Sequence, residues 1–88
     1  ADADAIKAFR QSIEANRNFP LTHFGLAAAL ALNGLQDQAR AAVRDGLALD
    51  ASFTLRRFRN GASSNNASFL ARRARVCEGM RMAGVPEE

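Results

Sequence analysis

Apolar residues fall at helical spacing in four stretches of the chain. Over residues 2–16, Ile6, Phe9 and Ile13 recur at intervals of three and four and make one stripe. Asn18-Phe19-Pro20 interrupts it, because proline disfavours helix at the residue before it yet suits the first turn of the next helix. A second helix is predicted from Pro20 to about Asn33, rich in Ala and Leu. The pair Asn33-Gly34 ends it, since both residues tolerate the left-handed conformation. A third, over about 36–49, puts Ala39, Ala42, Val43, Gly46 and Leu47 on its inner side. A fourth, over about 67–83, takes Asn66 as N-cap and lines its apolar face with Phe69, Leu70, Val76, Cys77 and Met80. Gly84-Val85-Pro86 stops it. Between the last two helices, residues 60–66 are small and polar and compete for backbone hydrogen bonds, which reads as a connector. No segment alternates with period two over five residues, so the expected fold is all-α.

The chain also resembles itself. A slide of 34 residues sets Ala5 on Ala39, Phe9 on Val43, Ser12 on Gly46, Ile13 on Leu47, Asn16 on Asp50 and Phe19 on Phe53. Phe24 continues onto Phe58 before Asn60-Gly61 spoils the match. A period of this length, holding two helices, is the mark of a helical solenoid. Residues 20–53 resemble one complete tetratricopeptide repeat. Leu26-Ala27 stands at the family's large-then-small pair, and Leu30 at its next bulky site. Gly34 matches the turn glycine, Ala39 the tightly packed alanine, Val43 the bulky residue after it, and Gly46 the second small site beside Leu47. Ala51 stands where a proline is usual and His23 where an aromatic is usual. Residues 1–19 then look like the second helix of a partial repeat. Residues 54–88 look like a degenerate third repeat, a polar loop and a C-terminal capping helix. The fold implied is an antiparallel helix-hairpin solenoid fragment with a closing helix. Ala27, Ala39 and Gly46 would be small where helix axes approach closely, and Leu26, Leu30, Val43 and Leu47 would fill the space between repeats.

The tail carries a narrower resemblance. Phe53-Thr54-Leu55-Arg56-Arg57-Phe58-Arg59, the polar loop, and the close Glu78-Gly79-Met80-Arg81-Met82-Ala83-Gly84-Val85-Pro86-Glu87 are similar to the end of bacterial proteins in which such repeats follow a class III adenylate cyclase domain. This implies a C-terminal place in a signalling protein and puts no cyclase chemistry in these residues.

Composition narrows the classes further. The chain has 88 residues, enough for one small domain, and its 48% hydrophobic content excludes an intrinsically disordered tail. Cys77 is the only cysteine, so no internal disulfide forms, and no Cys/His set offers a zinc site. The longest low-charge run, Phe19 to Gln36, contains Pro20, Thr22, His23, Asn33 and Gly34 and is too interrupted for a membrane span. The opening Ala-Asp-Ala-Asp has neither a basic start nor an initiator Met, and reads as part of a longer cytoplasmic polypeptide.

No catalytic residue, cofactor or metal is expected. His23 lacks an acidic partner at a readable spacing and is expected on a helix surface or in a groove. Cys77 is expected as a buried thiol. On the concave face implied by the repeat resemblance, Leu21, Phe24, Ala28, Ala31 and Leu32 present small and apolar side chains, with Phe58 beside them. That face is expected to hold an apolar segment of a protein or peptide, a second copy in a homo-oligomer, or the chain's own closing helix. Basic residues concentrate late: residues 51–88 hold seven against three acidic, and residues 1–50 hold five against six. Arg56, Arg57, Arg59, Arg72, Arg73 and Arg75 form a candidate basic patch that could meet nucleic acid. The bland alternative is a solvated face paired to Asp45, Asp50 or Glu78, and it is preferred. The expected function is protein–protein interaction, with nucleic-acid binding through the last third as the alternative.

Overall fold

The structure, a computed structural model, describes residues 2–60 and 67–88, with side chains described within 4–58, at 71 and within 74–88. Helices form at α1 (Asp2–Ala15), α2 (Pro20–Leu32), α3 (Gln36–Leu49), α4 (Leu55–Asn60) and α5 (Ala67–Ala83). There is no strand among the described residues. Four of the helices lie where hydrophobic spacing predicts them. The short α4 is additional. The polar connector and the Asn66 cap lie outside the described residues, apart from Asn60, which ends α4.

Backbone chemistry explains the helix ends. Pro20 occupies the first turn of α2, where its missing N–H costs nothing. Gly34 closes that helix at φ +81°, and the Leu35 N–H reaches back to the Leu30 carbonyl at 2.9 Å. Gly84 closes α5 in the same way at φ +99°, with the Val85 N–H on the Met80 carbonyl at 3.0 Å. Both are glycine-terminated motifs that use up orphan carbonyls and turn the chain sharply. The loops after α1 and α2 are so short that each helix doubles back along the last.

α2 is the centre of the molecule. Every residue from His23 to Ala31 is buried, and no charge occurs from Asn18 to Gln36. A helix apolar all round must be covered all round. Helices α1, α3 and α5 each pack on it, and α1 also reaches α3 through the Arg10 guanidinium, which donates to the Gln38 side-chain carbonyl at 2.7 Å. The Cα radius of gyration, 12.1 Å, matches the ~12 Å expected of a globular chain this long. No helix among the described residues is long and apolar enough to cross a membrane.

Three glycines set the distances at the three faces of α2. A Cβ on Gly25 would lie 2.7 Å from the Phe9 ring of α1. A Cβ on Gly46 of α3 would lie 2.8 Å from the Phe24 ring. A Cβ on Gly79 of α5 would lie 2.7 Å from the Ala28 carbonyl oxygen and 3.0 Å from its Cα. This corrects one expectation: Gly46 makes room for an aromatic ring, and the approach of backbone to backbone occurs at Gly79. Ala27 and Ala39 are fully buried, Leu26, Leu30 and Val43 are buried, and Leu47 is half-buried against the core, as is Ile13. The face of α5 expected at Val76, Cys77 and Met80 does turn inward, with Met80 fully buried. The side chains of Phe69 and Leu70 lie outside those described.

Candidate functional site

The turn after α3 builds the site. Asp50 caps α3, and its carboxylate accepts from the Ser52 N–H at 3.2 Å and the Ser52 hydroxyl at 2.8 Å. This turn delivers Phe53 inward, where its ring stacks on Phe24 with centroids 3.9 Å apart and planes 10° from parallel. Phe58 of α4 is tilted 54° against the Phe53 ring, with its centroid 6.3 Å away. Aromatic pairs of this kind contribute about 0.5–1.5 kcal/mol each beyond burial. Arg57 donates to the Ser52 carbonyl at 3.1 Å and hydroxyl at 2.7 Å, and its guanidinium lies 3.8 Å from Asp50.

Between this turn, α4 and the start of α2 lies a groove of about 480 Å³ lined by Phe19, Pro20, Leu21, Phe53 and Phe58, with Asp50 and Arg57 at its polar edge. Phe19 and Leu21 are each 43% exposed, although both are large and apolar. A second depression, about 610 Å³, runs between α3 and the end of α5 beside Arg40 and Arg44. Its apolar floor is buried at Val43 and Ala83 and half-buried at Leu47, whereas the first groove keeps two large apolar side chains, Phe19 and Leu21, exposed.

The structure divides the residues proposed for a concave binding face. Leu21 and Phe58 line the groove together, and Leu32 is half-buried. Phe24, Ala28 and Ala31 do not form an open face and are at most 2% exposed. Phe53 and Gly46 cover Phe24, and α5 lies on Ala28 through Gly79. The chain's own closing helix therefore occupies that part of the face. Phe19, Pro20 and Phe53 are the groove residues that the sequence reading did not assign to a site. A signal existed, since the 34-residue offset places Phe19 on Phe53.

His23 is not on a surface. It is buried, and its Nε2, 3.0 Å from the Arg17 carbonyl, donates to that acceptor and ties the α1–α2 loop to α2. Cys77 is a buried free thiol. Two members of the candidate basic patch face carboxylates: Arg56 lies 3.6 Å from Glu88 and Arg57 lies beside Asp50. Arg75 is exposed. The side chains of Arg59, Arg72 and Arg73 lie outside those described. Arg81 binds both Glu78 and Glu87, and its guanidinium is raised above its ordinary value, first by the hydrogen bond to Glu87. No group of three or more His, Cys, Asp or Glu among the described residues is placed to hold a metal ion. The groove can therefore bury apolar side chains and accept a polar contact at its Arg57–Asp50 edge. No protein-family model matches the chain, and neither a curated protein nor a solved structure matches it.

Proposed function

We propose that the chain is a protein–protein interaction module without catalysis of its own, built of tetratricopeptide-like helix hairpins. It would serve as the C-terminal regulatory or scaffolding part of a larger bacterial signalling protein of the adenylate cyclase kind. The observation that carries the interaction reading is the groove in which two large apolar side chains, Phe19 and Leu21, stay exposed together beside the half-buried Phe58. Exposed apolar surface rimmed by polar groups is what docking surfaces present. The repeat register of residues 20–53 and the closing motif of the tail support the family and the signalling context. The carboxylates facing Arg56 and Arg57 leave nucleic-acid binding with less support.

The groove's occupant is an apolar segment of another protein chain, a second copy being the simplest case. Sedimentation velocity and amide chemical shifts over rising concentration test that case. Association should move the shifts of Phe19, Leu21 and Phe58, and Leu21→Asp should abolish it. Association that Leu21→Asp leaves intact would place the interface elsewhere. A chain that stays monomeric, with shifts indifferent to concentration, would exclude the second copy.

A further inference from the structure

After Gly84 the last residues run back across the molecule to α4. Val85 is buried, and the carbonyls of Pro86 and Glu87 accept from the N–H groups of Leu55 at 2.8 Å and Arg56 at 3.0 Å. The next N–H, that of Arg57, is taken by the Thr54 hydroxyl at 3.1 Å. The orphan donors at the start of α4 are thus satisfied mainly by the far end of the chain. Arg81 grips Glu87 from α5, and Glu88 faces Arg56.

This arrangement matters because α4 cannot support itself. It has six residues, well short of the ~12–15 at which an isolated helix becomes even marginal. Among the helices it packs only on α5 within the described residues. Leu55, fully buried, anchors its start. Its other side supplies Arg57 and Phe58 to the groove.

We infer that residues 84–88 are a strap that holds α4 in register and so sets the width of the apolar groove. When the strap detaches, α4 loses the partners of its first two N–H groups. Phe58 can then leave Phe53, and the groove opens to a larger apolar segment. The strap therefore regulates the same site as the interaction reading and rests on that reading for its biological meaning. Its mechanical part stands apart from it.

Amide hydrogen exchange on the full chain tests the mechanical part, in Gly84→Val and Glu87→Ala. Gly84→Val strains the turn at φ +99°, where nothing lies within 4 Å of the added Cβ. Glu87→Ala removes the exposed grip of Arg81 and leaves Val85 in the core. Gly84→Val should speed exchange at Leu55 and Arg56 by roughly tenfold or more, and Glu87→Ala, which removes an exposed ion pair, by roughly two- to fivefold, while Leu30 and Ala31 in α2 keep their protection. Unchanged exchange at Leu55 and Arg56 in both variants overturns the strap. So does an equal acceleration in α2, including complete unfolding, which would make these residues ordinary core. The groove reading is read separately. Fluorescence of an apolar naphthalene-sulfonate dye should rise in Glu87→Ala and fall back when Leu21→Asp is added. A rise that survives Leu21→Asp places the new surface outside the groove, and no rise means that the strap does not control it.

Discussion

Replacing each of the three interfacial glycines by alanine should give three different results, although the chemical change is the same. In a helix interior, Gly→Ala gains about 1 kcal/mol of helix propensity. Against that stands the overpacking of a closed interface, about 1–3 kcal/mol. What decides the balance is the atom each new methyl meets. At Gly79 it meets the Ala28 backbone at 2.7–3.0 Å, and no rotamer can relieve this. The whole of α5 must shift, so the loss should be about 1–2 kcal/mol net. At Gly46 it meets the fully buried Phe24 ring, itself stacked on Phe53, which yields only by disturbing that stack. The net loss there should be about 0–1 kcal/mol. At Gly25 it meets Phe9, a half-buried ring that can swing outward, so propensity and crowding should nearly cancel. For a domain of this size 1 kcal/mol moves the melting temperature by ~4–8 °C, so Gly79→Ala should melt roughly 5–15 °C below the parent chain. Thermal melts followed at 222 nm by circular dichroism measure all three. If Gly79→Ala melts at or above the parent, or Gly25→Ala melts lowest, the packing argument for α2 is wrong.

Ala39, fully buried on α3, should not accept leucine: Ala39→Leu is expected to cost about 1–3 kcal/mol, and an unchanged urea midpoint would refute it. Cys77 should react with a disulfide reagent only as fast as the fold opens, in keeping with its burial. Immediate labelling of the native chain would show that the face of α5 carrying Cys77 is not packed against the core. With Arg56 and Arg57 facing carboxylates, the chain should elute from heparin below physiological ionic strength, and retention above it would restore the nucleic-acid alternative. The Arg81 guanidinium is raised in the folded state, chiefly by its hydrogen bond to Glu87. Its contribution is therefore full at every pH below the ordinary arginine range and is lost only as the pH rises through the raised value. Arg81→Ala should lower the melting temperature equally at pH 7 and pH 10, and a difference that vanishes at pH 10 would contradict the assignment.

How far the sequence could be read depended on whether the cause of each feature was local. The positions of α1, α2, α3 and α5 follow from apolar spacing, Pro20, Gly34 and Gly84, all legible within a few residues. The helix α4 was not legible. Leu55-Arg56-Arg57-Phe58-Arg59-Asn60 has little apolar pattern, and its cap comes from residues some thirty positions later. The concave face is less open than the residues assigned to it imply, for a similar reason. Helical spacing separates one side of α2 from the other only if one side is left open. Yet the absence of any charge between Asn18 and Gln36 already pointed to a helix enclosed on every side. That signal outranked the repeat resemblance and would have moved Phe24, Ala28 and Ala31 from the binding list to the core. Leu21 survives as a groove residue because it lies in the first turn of α2, and Phe58 because α4 sets it beside Phe53.

Because α1, α3 and α5 all lean on one uncharged rod, none can peel away without baring a strip of that rod to water. Linear arrays of helix pairs unravel from their ends, unit by unit. This chain should instead come apart in a single all-or-none step, and a half-melted form would carry its stickiest segment on the outside. Such a species invites clumping with its neighbours, so sharp cooperativity protects the chain from its own middle.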